Sequence, residues 1–226
     1  MTMHCPQEVE LLKLVKELQI ILVAALDSLG NKVLPTLEAC YLGWAATTVS
    51  LAADGYVRLR EPGRIHASKL LVRPILEAVI AATAVMKKKG ILFQKYFTEW
   101  DSATKLFRKD AVAEARAKKE LEDLKGEFLK RDPSYPIKCE RLPVSKMAEA
   151  ANLAPLYTIA YSTYCEFNHG SMRAVRGNLN EATDPIDTST VISCMLMVLE
   201  QLQKHTPATV PNLDPYVKRQ EKHSMV

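Results

Sequence analysis

Apolar residues recur at helical spacing along most of this chain, and strand-like alternation is absent. Leu11, Leu14, Val15, Leu18, Ile21, Leu22 and Leu26 share one face of a helix over 7–29, which Gly30-Asn31 ends. Pro35 suits the first turn of a second helix reaching Asp54-Gly55. Apart from Glu38 that segment is nearly all apolar or small, which predicts a central place in a bundle. A turn at 61–65 leads to a third helix over 66–88, with a kink or break expected at Pro74. Residues 90–131 read as one long charged helix, bent near Gly126, with Ala113, Ala117, Leu121, Leu124 and Phe128 as a thin apolar seam.

Beyond a proline-rich loop, Ser145 is placed to cap a short helix ending at Asn152, and Pro155 to open another that runs to His169. Asp187–His205 forms the last helix. The expected fold is therefore all-α: a bundle of six or seven helices in one domain over 1–206, with 105–132 as a projecting charged arm. Residues 207–226, with three prolines and mixed charge, read as an extended or mobile tail.

Composition changes this picture little. Of 226 residues, 48% are hydrophobic and 25% charged, enough for a sizeable core. A net charge of +4, with acids and bases interspersed, does not by itself imply nucleic acid. Five scattered cysteines without a C-x-x-C pair argue against a zinc site and a disulfide framework, and fit a reducing cytoplasm. No signal peptide is expected, because no basic region precedes an uninterrupted apolar core, and no membrane-spanning segment is expected either. No phosphate-binding loop, nucleophile elbow or metalloprotease motif appears, and no metal or cofactor is implied.

Candidate chemistry gathers in two stretches. In "KLLVRPILEAVI", Arg73 and Glu77 are four residues apart on a helix whose two sides both look covered, and a buried ion pair needs further polar partners. "YCEFNHGSMRAVRG" can supply them. A helical wheel puts Tyr157, Tyr161, Tyr164 and Asn168 in one stripe, beside Thr158, Ser162, Cys165 and His169. His169 before Gly170 can serve as a helix-end residue, a member of a polar network, or an acid or base titrating near neutrality. Arg173 and Arg176 can hold a phosphate or stay solvated, and Glu38 can join the Arg73 network or face water.

"LLVRPILEAVI" followed by "LYTIAYSTYCEFNHGSMRAV" resembles an uncharacterised family of bacterial all-helical proteins, a domain of unknown function. In that family an R-x-x-x-E helix is paired with a tyrosine-rich helix ending in His-Gly/Pro-Ser. The likeness spans roughly residues 36–204; the serine common four residues before the histidine is here Cys165. The resemblance implies a helical fold and a cytoplasmic setting, and no established activity. More distantly, an arginine–histidine pair in a helical bundle is similar to the HEPN ribonucleases of prokaryotic defence systems. Their short R-x(4–6)-H motif is absent, positions 163 and 164 being Thr and Tyr, so only Arg73 could substitute.

Three functional expectations follow. The first is a non-catalytic binding or assembly protein whose Arg73, Glu77, Tyr161, Asn168 and His169 form a structural polar core. The second is a pocket for an anionic or nucleotide-like ligand, with Arg73 and His169 as donors. The third is RNA cleavage, with His169 as acid or base and Arg73 stabilising the phosphorane. The seam of Leu121, Leu124 and Phe128 further suggests a homodimer through helical surfaces.

Overall fold

The computed structural model describes residues 6–30, 32–61, 64–106, 110–161, 163–165 and 184–224. All regular structure among them is helical, so the protein is all-α. The helices are α1 (Pro6–Leu29), α2 (Leu37–Arg60), α3 (Ile65–Lys87), α4 (Ile91–Leu106), α5 (Ala111–Arg131), α6 (Val144–Ala151) and α7 (Ala154–Leu156). The chain continues from α7 as a π-helical turn over Tyr157–Tyr161; α8 (Asp184–His205) and α9 (Asp214–Ser224) complete the series.

Helices α1, α2, α3 and α8 pack on one another around the main core. The stripe read in α1 is inward: Leu11, Leu14, Val15, Leu18 and Leu22 are buried. Each such side chain contributes about 1.5–3 kcal/mol relative to leaving it in water. Gly30, at φ +45°, closes α1 in the left-handed region.

The centre of the bundle is α3, not α2 as the composition suggested. Every residue from Ala78 to Val85 is buried, whereas α2 turns Cys40, Trp44, Thr47 and Leu51 outward. The alanines of α3 let its neighbours approach closely. Thr36 caps α2, its hydroxyl accepting from the Ala39 amide at 3.0 Å. The helix then runs past Gly55 to Arg60, because Gly55 is a contact point rather than a terminator. A Cβ there would lie 3.0 Å from Leu71 Cδ1 of α3. α3 in turn passes unbroken through Pro74; Leu70, whose carbonyl that proline cannot bond, is an exposed residue with access to water.

The continuous helix expected over 90–131 is two helices. α4 ends at Leu106, and Asp110 starts α5 by accepting from the amides of Val112 and Ala113, both at 3.0 Å. Because an Asp N-cap satisfies orphan donors, a helix can begin there without glycine or proline as a warning. α5 folds back on α4: Phe128, late in α5, meets Phe93, early in α4, edge-to-face at 5.7 Å. The seam is thus used within the chain, with Phe128 buried and Leu121 and Leu124 packed against the core.

Residues 214–224 also differ from the expected mobile tail. Asn212 accepts from the Asp214 amide at 3.0 Å and opens α9, which lies across α1 and α8. Arg219 makes a two-pronged bond to Glu17 at 2.5 and 3.0 Å, and Gln220 donates to Ser189 and Ser193.

Candidate functional site

Three places gather polar side chains. The first is the Arg73 edge of α3. The Arg73 guanidinium lies 5.8 Å from the centre of the Tyr161 ring, within cation–π reach. Tyr161 stacks on Tyr157, their ring centres 5.2 Å apart. Burial, then the nearby Glu77 carboxylate, pushes the Tyr161 hydroxyl up to about 12, so it stays protonated at neutral pH. Arg73 and Glu77 are themselves only half-buried.

The tyrosines do not form the single stripe drawn on an α-helical wheel. Tyr157–Tyr161 is a π-helical turn, whose wider repeat changes the angle between successive side chains. Tyr161 faces Arg73 and Tyr157 stacks on Tyr161, while Tyr164 points elsewhere, into a second cluster. Asn168, His169, Arg173 and Arg176 lie outside the described residues. Glu38 does not join Arg73. It accepts from the Tyr135 hydroxyl at 2.9 Å, and that hydroxyl in turn accepts from the Gly90 amide at 3.3 Å.

The second cluster was not foreseen. It is built from one charge on each of the four core helices: Glu8 of α1, Arg60 of α2, Lys69 of α3 and Asp187 of α8. Arg60 donates through Nε to Glu8 Oε1 at 3.0 Å and through Nη1 to Ser68 at 3.2 Å. Its Nη2 lies 3.7 Å from Asp187 Oδ2, and Lys69 Nζ stands 3.2 Å from that same oxygen. Thr188 donates to Glu8 at 2.7 Å, so in its 2.8 Å bond with Tyr56 the tyrosine is the donor. Tyr164 donates to Asp187, tying the chain just before residue 166 to the first turns of α8.

The cluster is sealed. Glu8 and Arg60 have no exposed surface, Lys69 retains 2% and Asp187 4%. Among the described residues two carboxylates face two cations, and each ion has a hydrogen-bonding or ion-pair neighbour there. Burial raises the Asp187 carboxyl above the ordinary range, with Lys69, Tyr164 and Arg60 opposing it. Burial likewise raises the Tyr56 and Tyr164 hydroxyls, which stay neutral donors. Such an arrangement holds helices in register. No substrate can reach it without the bundle opening.

A sequence signal for this cluster existed. Glu8 is in phase with Leu11, Val15, Leu18 and Leu22, and Arg60 with Ala46, Val49, Ala53 and Tyr56. Lys69 leads Val72, Leu76 and Val79, and Asp187 leads Val191, Cys194 and Val198. A charge on an apolar stripe is a charge aimed at the core.

The third place is a groove of about 460 Å³ where the start of α2 meets the ends of α3 and α5. Its charged lining is mixed: Glu38, Lys89, Arg131 and Asp132, over an apolar floor that includes Val85, Met86 and Phe128. Lys89 pairs with Asp132, whose carboxyl is held low, at about 2, by that lysine and by Ser134.

Among the described residues, no group of three or more His, Cys, Asp and Glu side chains is arranged to hold a metal ion. Nor is any helix long and apolar enough to cross a membrane. No curated protein and no solved structure matches the chain. A family model does, over residues 41–186, a span that contains Arg60, Lys69, Arg73, Glu77 and Tyr164. The chain belongs to the family of unknown function DUF5677.

Proposed function

We propose that this is a non-catalytic binding or assembly protein whose buried charges organise the fold. The observation that carries the reading is the sealed Glu8–Arg60–Asp187–Lys69 cluster. Its charges are used against one another, helix to helix, and Tyr164 bonds the same cluster at the edge of the stretch that holds Asn168, His169 and Arg173. In this reading the cluster fixes the four-helix core, and recognition takes place on outer surfaces. Pairing with a second copy of the chain belongs to the same proposal. It would use a surface other than the α5 seam, which is engaged within the chain.

A second reading, an anionic or nucleotide-like ligand or RNA cleavage, is supported by Arg73. Its half-buried guanidinium beside Tyr161 keeps a cation near the entry to the His169 stretch.

One variant separates the readings. His169→Asn is expected to leave RNA processing unchanged, with no cleavage of a labelled single-stranded RNA by parent or variant. Native mass spectrometry of the parent protein is expected to show a stoichiometric bound partner or ligand. RNA hydrolysis by the parent that disappears in a normally folded His169→Asn protein would replace this proposal with the enzymatic one, because an amide exchanges no proton near neutrality.

A further inference from the structure

A second pocket, of about 340 Å³, opens between α2, α4 and α5 and meets the mixed-charge groove at Leu37 and Phe128. Its walls are unusual for this protein. Three electron-rich rings, Tyr41, Trp44 and Tyr96, line it together with Phe128, and Glu99 is the only charged side chain among its described lining residues. Trp44 is 57% exposed, so its ring is open to a guest from solvent. Tyr41 and Trp44 stand 5.5 Å apart at 36°. Tyr41 is buried, and its hydroxyl has no hydrogen-bond partner among the described residues.

A cation stands beside the wall. Lys95 Nζ lies 5.7 Å from the Tyr41 ring centre and pairs with Glu99. The Glu99 side chain is 55% exposed and that of Lys95 15%, so the carboxylate keeps a face open to solvent beside the ring. Burial and the Glu99 charge raise both Tyr41 and Tyr96, which keeps their rings neutral at physiological pH. A negative carboxylate beside π-faces attracts a positive and weakly hydrated guest.

We propose that the pocket formed by Tyr41, Trp44, Tyr96 and Glu99 binds a small organic ammonium compound, and that Lys95 occupies its cation position when the guest is absent. The site is separate from the buried charge cluster and stands or falls independently of it.

Choline and its uncharged carbon isostere, dimethylbutanol, are the probes, followed by saturation-transfer NMR on the full chain. Choline binds the parent protein saturably and the isostere more weakly. Glu99→Gln and Trp44→Ala each weaken choline by about two- to five-fold, the size of one partly exposed cation–π or ion contact. Lys95→Met tightens it, because the internal competitor is gone. Both Trp44 and Glu99 are exposed, so these variants keep the fold. Equal binding of choline and isostere, indifference to Glu99→Gln, or no choline binding by either the parent or the Lys95→Met protein overturns the proposal.

Discussion

Replacing Arg60 by methionine is expected to destabilise the protein by about 3–5 kcal/mol, the cost of stranding a buried partner charge. The side chain has no exposed surface and contacts Glu8, Ser68 and Asp187 together. Methionine fills much of the volume, so little of the loss comes from a cavity. What is lost is the positive charge between two carboxylates, one from α1 and one from α8. Glu8 keeps its bond from Thr188, and Asp187 keeps Lys69 and Tyr164, but the two carboxylates then face a single described cation in a buried interior. Urea unfolding followed by circular dichroism measures the effect as a lower midpoint at an unchanged slope. A loss below ~1 kcal/mol would mean that solvent reaches the cluster, as it does for surface ion pairs.

The second large effect is at Phe128. Truncation to alanine is expected to cost about 3–5 kcal/mol, the usual range for a fully packed phenylalanine. Its ring is 2% exposed, meets Phe93 edge-to-face at 88°, and lies 4.6 Å from the centre of the Tyr135 ring. It therefore joins α5 to α4 and to the loop after α5, which is further pinned by Leu142 donating to Thr98 at 2.7 Å. The loss should be local. Hydrogen exchange is expected to speed up in α4, α5 and residues 132–137, while amides in α1 and α8 keep their protection. Uniform loss of protection would show instead that the hairpin and the four-helix core unfold as one unit. Gly90 makes the same corner intolerant of change: at φ +95°, a Cβ there would come within 2.9 Å of Pro136.

These positions show what the sequence disclosed and what it withheld. The apolar stripe of α1 lies on the face that the structure buries, because period and burial express the same geometry. Boundaries were harder. Gly55 carries the composition of a helix end, yet its role is close contact with Leu71, which depends on another helix. The α4–α5 break is marked only by Asp110, a residue equally at home on a charged helix face. The π-turn at Tyr157–Tyr161 re-aims tyrosines in a way that no α-helical wheel anticipates.

The candidate site was legible in part. Arg73 and Tyr161 meet, although one lies on α3 and the other far along the chain. Glu38 was noticed as an acid on an apolar helix, but its partner is Tyr135, in a loop whose path local pattern does not specify. The buried quartet left a trace in its phase, since each charge continues an apolar stripe. Phase shows that a charge turns inward; it does not say which of the other inward charges it will meet. That pairing is decided by the packing of α1, α2, α3 and α8 together.

A double-mutant cycle on Glu8→Leu and Arg60→Met tests most directly whether these charges serve to join the helices. Removing both members of a buried pair leaves neither stranded, and Asp187 retains Lys69. Denaturant unfolding of the two single variants, the double and the parent is predicted to give a coupling of about 2–3 kcal/mol, with the double variant more stable than the Arg60→Met protein. Additivity within ~0.5 kcal/mol would contradict the account, because two residues that do not sense each other cannot be holding α1 to α2.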